Sequence, residues 1–422
     1  MSDTSPDANL ASSPVSLSKV GNVIPIRGSN REDSYLLNRS LVLTLVHRHK
    51  GLSRSDLTKL TGLNRSTISS LVLELTKAGL VLENPGVPNQ LAGRPSPIVI
   101  PNPNVVALAF GPRRYSATLS IVGLGGNVLN SITQTFKEPP DPFEMAHLAN
   151  LMKSDLLKNS PKHLKFIGIG ADLPGQVDIS SGYVTFCEQL EWVDAPFAEY
   201  LNRATGMPAY IDNDSNLACA AERDFGSGRD FQNIIYLYGG DGVIGGGVII
   251  DGNILRGSAG FAGELGHIFI TEDQREDSSG LKGTLEALVR RNDLLSALRL
   301  GDISDDELTQ KISKSKNNKL QRIMNNQIDY LAVGISTLVN IFNPQAVVLS
   351  GFLTALYEAD DYRLLSKIRS GSVSGSRERV VIRTAQLGSK ALAIGAAELA
   401  FAPLLLETSN FEMSKINYAE RT

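Results

Sequence analysis

The chain has 422 residues, 42% of them hydrophobic and 20% charged, with a formal net charge of −3. This is the make-up of an ordinary folded protein too long for one core, so two or three domains are expected. No apolar run is long enough to span a bilayer, no basic-then-apolar signal opens the chain, and Cys187 and Cys219 neither build a disulfide framework nor have metal-ligand spacing. These features predict a cytoplasmic protein with no membrane partner.

Residues 1–33, rich in Ser, Pro, Asn and Asp, are read as a disordered tail. From Ser34 to Ile100 eight Lys or Arg stand against three acids, a net of +5 that leaves −8 for the rest. A small basic module on a larger acidic body suggests a nucleic-acid-binding head. Leu37, Leu41 and Leu45 recur every four residues and predict a first helix. Ser53 with Asp56 is close to a capping box for a second, with Leu57 and Leu60 as its buried face and Gly62 as its stop. Asn64 caps a third, whose apolar set is Ile68, Leu71, Val72 and Leu75. Residues 80–82 and 98–100 are the predicted strands of a wing, with Gly93-Arg94-Pro95 near its tip. Helix, turn, helix and wing over residues 34–101 describe a winged helix-turn-helix. Its predicted DNA-binding residues are Arg54, Asn64, Arg65, Ser66, Thr67, Ser69, Ser70 and Arg94. The polar start of the third helix suits the major groove and Arg94 the minor groove.

Past Pro101, strands and helices alternate. Residues 105–110 and 116–122 predict a hairpin turning near Gly111-Pro112, and residues 166–170 a buried strand. A strand at 207–211 leads into Asp212-Asn213-Asp214-Ser215-Asn216, with a helix from about Leu217. Strands at 234–238 and 248–250 flank a glycine-rich turn, Asp241-Gly242-Val243-Ile244-Gly245-Gly246-Gly247. Next comes Gly257-Ser258-Ala259-Gly260-Phe261-Ala262-Gly263-Glu264-Leu265-Gly266-His267. Glycine adopts positive φ and lets a ligand come close, so Glu264 and His267 should border whatever this loop encloses. Residues 302–319 read as a solvated connection. A long helix bearing Ile328, Leu331, Ile335 and Leu338, strands at 346–349 and 380–382, a helix at 391–400 and a tail over 406–422 complete the chain.

This order of segments resembles the ROK family of sugar kinases and sugar-responsive repressors over about residues 36–400. The pieces that carry it are Leu173-Pro174-Gly175-Gln176-Val177-Asp178, Asn213-Asp214, the loop 257–267 and Gly283-Thr284-Leu285-Glu286. The resemblance implies an α/β fold: the winged helix-turn-helix, then a two-lobed actin/hexokinase-like (ribonuclease H-like) body over residues 102–405. It also implies sugar binding by Asn213, Asp214, Glu264, His267 and Glu286, with Asp214 at the position of the kinase base. The chemistry agrees, because a sugar is a cluster of hydroxyls that fixed carboxylates and amides can satisfy.

Two departures from the family pattern matter. Its kinases carry Asp-x-Gly-Gly-Thr on the first hairpin; here Ala109-Phe110-Gly111-Pro112-Arg113 lacks the carboxylate, the second glycine and the threonine. Pro112 removes an N–H donor, and Arg113 adds bulk where phosphate would lie. Gly242-Val243-Ile244-Gly245 also has one residue more than the usual Gly-x-Gly spacing. The family's zinc pattern, a loop histidine with C-x-C-G-x-x-G-C-L-E, has Asp277, Ser279 and Thr284 in place of its cysteines, and hydroxyls are poor zinc ligands. Neither ATP nor zinc is expected, and no catalytic residue.

The expected protein is a DNA-binding transcriptional repressor of carbohydrate-metabolism genes, a homodimer or dimer of dimers on a double-stranded operator. Its effector would be a sugar or sugar-phosphate in a degenerate kinase pocket. The alternatives are an active sugar kinase that also binds DNA, and a regulator controlled by a protein partner over a vestigial pocket.

Overall fold

The computed structural model describes residues 31–85 and 97–407. Arg94 and the predicted wing tip lie outside the described residues.

The head comprises α1 (Arg31–His49), β1 (Leu52–Ser53), α2 (Arg54–Thr61), α3 (Arg65–Lys77), β2 (Val81–Asn84) and β3 (Ile98–Pro101). Helix α1 starts three residues inside the segment read as tail. Its buried side chains are Ser40, Val42, Leu43, Val46 and His47, whereas Leu37 and Leu41 are exposed. The leucine spacing misplaced this face because α1 packs on both α3 and the body, so its contact surface is broader than one stripe. The Ser53 hydroxyl accepts from the Asp56 N–H at 3.0 Å, and Gly62 closes α2 at φ 70°. The Asp56 carboxylate accepts from that hydroxyl at 2.7 Å, so the cap is not the reciprocal box. Leu57 is buried but Leu60 is exposed, because this eight-residue helix presents a single row to the core. In α3 the Asn64 side chain accepts from the Thr67 N–H, and Ile68, Leu71, Val72 and Leu75 are buried as their spacing predicts. Strands β2 and β3 pair antiparallel and β1 adds to β3.

The first lobe is a five-stranded sheet of order β11-β7-β4-β5-β6. It is made of β4 (Val105–Arg113), β5 (Ser116–Gly123), β6 (Asn127–Thr135), β7 (Lys165–Leu173) and β11 (Ala209–Asn213). Helix α4 (Pro142–Lys158) precedes β7. A small sheet follows β7, made of β8 (Gln176–Asp178), β9 (Tyr183–Cys187) and β10 (Trp192–Ala195). Helices α5 (Phe197–Thr205) and α6 (Asp214–Phe225) flank β11. The hairpin does not turn at Gly111-Pro112. Strand β4 continues to Arg113, paired with Ser116, and the turn is Arg114-Tyr115. Pro112 is tolerated there because it lies beyond the last pairing with β7, Phe110 with Ala171, where that edge needs no donor.

The second lobe is a sheet of order β14-β13-β12-β15-β16. Its strands are β12 (Ile234–Gly239), β13 (Ile244–Ile250), β14 (Asn253–Ile254), β15 (Ala346–Gly351) and β16 (Val381–Thr384). Between β14 and β15 come α7 (Leu285–Leu288), α8 (Arg291–Leu298), α9 (Asp305–Lys314) and α10 (Asn318–Phe342). Helices α11 (Phe352–Ala359), α12 (Asp361–Gly371) and α13 (Ser374–Arg377) precede β16, and α14 (Lys390–Leu406) returns to the first lobe. Gly245, Gly246 and Gly247 belong to β13 rather than to a turn. The strand packs so close to α6 that a Cβ on Gly247 would lie 2.7 Å from the Cβ of Cys219. The segment read as a solvated connection contains α9, capped by Ser304, with Leu308 and Ile312 buried. One apolar core joins Val42, Leu43 and Leu75 of the head to Leu217, Phe225 and Phe401 of the body. No helix among the described residues is long and apolar enough to cross a membrane.

Candidate functional site

The end of β11 and the start of α6 carry the first group of candidate residues. Asn213 caps α6: its Oδ1 accepts from the N–H groups of Ser215 and Asn216 at 3.0 and 3.1 Å, and its Nδ2 donates to the Gly175 carbonyl at 3.0 Å. The family-like segment 173–178 is thus pinned to this helix end. Asp214 is the first helical residue. Burial raises its pKa, against the opposing effects of Arg113 and the Ser215 N–H.

The loop 257–267 runs from the second lobe toward this group. Gly257, Gly260 and Gly263 all have positive φ, at 67°, 88° and 106°, which other L-residues rarely adopt. Gly266 has no room for a side chain, since a Cβ would strike the Ile244 carbonyl. Just before the loop, Arg256 donates to both oxygens of buried Asp212, at 3.1 and 2.8 Å. This ion pair joins the lobes beside the site, and local sequence pattern did not reveal it. A Cβ on Gly263 would lie 3.9 Å from Oδ1 of Asn216. Asn216 is 2% exposed, and that oxygen has no hydrogen-bond partner among the described residues.

Glu264 is half exposed, with Oε2 3.8 Å from His267 Nε2. Burial raises its pKa, His267 opposes this, and Glu286 and Asp214 add to it. Asp214, Glu264, His267 and Glu286 therefore share one electrostatic neighbourhood. Glu286 sits deeper than the others: Oε2 accepts from the Ile244 N–H at 2.7 Å, and Oε1 from the N–H and hydroxyl of Ser278 at 2.9 and 2.6 Å. His267 Nδ1 bonds Asp277 Oδ2 at 2.9 Å. Burial disfavours the imidazolium, but the Asp277 bond and the charges of Glu286, Asp277 and Glu264 outweigh it and raise the pKa.

Arg113, at the end of β4, reaches into the same neighbourhood. Its guanidinium pairs with Asp172, donates to the Pro112 carbonyl at 2.7 Å and stands 3.9 Å from Asp214 Oδ2. Burial opposes its charge, yet Asp172 and Asp214 hold its pKa above the ordinary value. Burial pushes the Asp172 carboxyl up to about 6 despite Arg113, and Asp214 adds to the rise. Sequence reasoning noticed Arg113 but not its partner, because Asp172 precedes the recognisable Leu-Pro-Gly segment and pairs only across the sheet.

At the head, Arg65, Ser66 and Ser70 are exposed along the start of α3, and Thr67 is partly so. Asn64 serves the cap and also accepts from the Ser66 hydroxyl at 2.7 Å. Arg54 is engaged within the head: Nε and Nη2 each donate to Glu83 at 2.7 Å, and Nη1 donates to Ser69 at 3.2 Å.

A winged helix-turn-helix head on a hexokinase-like two-lobed body is the class these features define. The chain belongs to the ROK family, whose model matches residues 118–402. It is 28% identical to a xylose repressor of Caldicellulosiruptor bescii over 87% of this chain and 96% of that one. It is 32% identical to a glucokinase of Streptomyces coelicolor over 56% of this chain and 80% of that one. A solved ROK family transcriptional regulator, a homologue of the E. coli MLC protein, superposes with a TM-score of 0.73 at 22% identity, covering 90% of this chain and 99% of that chain.

Proposed function

We propose that the chain is a sugar-responsive transcriptional repressor. The head binds a double-stranded operator, a second copy of the chain presents the second head, and a sugar held between the lobes governs binding. Asn213, Asp214, Glu264 and His267 form the hydroxyl-binding set, with Glu286 fixing its floor. Arg65, Ser66, Thr67 and Ser70 face the bases, while Arg54, Asn64 and Ser69 shape the head that presents them.

The observation that carries the sensor reading, as against a kinase, is Arg113. A body that keeps Asn213 and Asp214 has a guanidinium paired with Asp172 and 3.9 Å from Asp214, on the hairpin where the family resemblance places phosphate. Asp214 then serves as an acceptor for a sugar hydroxyl rather than as a base for phosphoryl transfer. ATP and zinc have no part in this reading. A bound sugar must favour one arrangement of the heads, because equal affinity for both would regulate nothing. Half-sites about one helical turn apart make DNA binding sensitive to that arrangement.

The test is fluorescence anisotropy of the full chain on DNA fragments selected from the source genome, titrated with a panel of sugars and their phosphates. The names of the repressor relatives put D-xylose first. One sugar should change DNA affinity several-fold, with no ADP released in a coupled assay containing ATP. Sugar-dependent ADP release abolished by Asp214→Asn would make the chain a kinase. Failure of every sugar to stabilise the fold would point to a protein partner. Arg65→Ala should relax base preference rather than weaken all sequences alike.

A further inference from the structure

Four hydrogen-bond donors converge on one carboxylate. The Asp277 side chain is fully buried. Its Oδ2 is bonded to His267 Nδ1 at 2.9 Å and accepts from the Thr284 hydroxyl at 2.8 Å. Its Oδ1 accepts from the N–H groups of Ser279 and Leu281, both at 2.9 Å. A carboxylate has about four lone-pair sites, so these donors occupy all of them. The cluster gathers His267, Asp277, Ser279 and Thr284, the four positions at which the family pattern has a histidine and three thiolates.

These residues do not fit a structural zinc. Asp277 has no free acceptor site, and two of the former thiolate positions offer only hydroxyls. His267, Asp277 and Glu286 do bring donor atoms within 4.8 Å of one another. Both Glu286 oxygens, however, already accept from Ile244 and Ser278. A cation would have to displace several of these hydrogen bonds, among them the buried one from Ile244 to Glu286, which is expensive to leave unmade.

We infer that the Asp277 carboxylate has taken over the task of an ion. It is a fixed anion that folds the segment 277–284 back onto the sugar loop and orients His267. Because Nδ1 donates its hydrogen to Asp277, Nε2 is turned toward Glu264. Carboxylates behind metal-bound imidazoles orient them in the same way, and their loss typically costs about 10- to 100-fold in metal affinity or activity. Asp277 is thus a positioning residue for His267. The effect on sugar affinity rests on the sugar-sensing reading above, but the replacement of the ion does not.

The test uses the full chain in three forms: unaltered, Asp277→Asn, and a triple variant with Asp277→Cys, Ser279→Cys and Thr284→Cys. Zinc content is measured by elemental analysis, loop order by limited proteolysis with and without chelator, and sugar affinity by calorimetry with D-xylose and D-glucose. The unaltered chain should carry no stoichiometric zinc and be cut identically with chelator. Asp277→Asn should be cut faster within 272–284 and bind a sugar about 10-fold more weakly. The triple variant should take up zinc and regain protection that chelator removes. One zinc per unaltered chain, or a loop as resistant in Asp277→Asn as in the original, overturns the inference. If neither sugar binds the unaltered chain, the metal and proteolysis results still decide the role of Asp277, and the failure lies with the choice of sugar or the sensing reading.

Discussion

Arg113 faces two carboxylates whose ionisation burial opposes, so its removal leaves Asp172 and Asp214 without their cation. Breaking a buried pair from one side typically costs about 3–5 kcal/mol. With 29% of the arginine side chain exposed, about 2–3 kcal/mol is expected for Arg113→Ala in urea denaturation. Adding Asp172→Asn should recover part of that loss, because the stranded charge goes with it. The same pair predicts a pH dependence. The Asp172 pKa is raised from 3.8 to about 6 in the folded chain, so below pH 4 both states hold the proton. As pH rises through 6 the folded chain must give up a proton that the unfolded chain released earlier. This contribution to stability is therefore lost between about pH 4 and pH 6. Urea midpoints compared from pH 4.5 to 7 should fall further for the unaltered chain than for Asp172→Asn. Much of the proposed sugar set was picked out in the sequence because its residues lie in short contiguous motifs, Asn213-Asp214 and Glu264-Leu265-Gly266-His267. Asp172, Arg256 and Asn216 were not, because each acquires its meaning from a partner on another element.

Helix α3 was legible because one face meets one core, so burial follows the 3.6-residue period. Helix α1 was not, because it is clamped between α3 and the body. The first half of strand β13 was read as a turn because three consecutive glycines signal flexibility, whereas here they provide clearance. A Cβ on Gly247 would lie 2.7 Å from the Cβ of Cys219 and 3.0 Å from the Ser215 carbonyl, and one on Gly395 of α14 would strike the Leu217 carbonyl. Helix α6 is therefore held backbone to backbone between β13 and α14. Gly395→Ala should destabilise by about 1–3 kcal/mol through overpacking, measurable as a lowered urea midpoint at unchanged m-value. The first turn of α6 also carries Asn216, whose buried carbonyl lacks a partner among the described residues. A group that makes no bond in the unliganded chain adds nothing to stability through hydrogen bonding. Asn216→Ala should leave the melting temperature nearly unchanged while weakening sugar affinity several-fold in calorimetry. A large loss of stability with intact sugar binding would make Asn216 a packing residue.

The head is not tethered to the body by a free linker; it rests on the far ends of the helices that build the site. Helix α6 begins at Asp214, among the candidate site residues, and ends at Phe225 against α1. There Phe225 meets the His47 ring edge-on at 5.1 Å, and Arg48 pairs with Asp224 at 3.1 Å. His47 Nδ1 accepts from the Gly125 N–H at 2.9 Å, leaving Nε2 to donate to Glu398 of α14 at the same distance. The Ser40 hydroxyl donates to the Leu406 carbonyl at the end of α14. Since β13 and α14 both close tightly on α6, a sugar that draws the loop 257–267 onto Asp214 would shift the helix as a unit, carrying the seat of α1 with it. This chain of contacts specifies which variants should change the coupling. Asp224→Asn and Phe225→Leu lie away from both the exposed face of α3 and the sugar set. They should retain operator affinity without sugar and sugar affinity without DNA, yet reduce the ratio of operator affinities measured with and without sugar. Coupling of this kind is typically about 5- to 150-fold, so a fall toward unity is readily seen by anisotropy. Reciprocity adds a check: if sugar changes operator affinity by a given factor, operator must change sugar affinity by the same factor, and both factors must shrink together in each variant. An unchanged ratio in both variants would exclude the far end of α6 as the route and direct attention to the His47–Glu398 contact on α14.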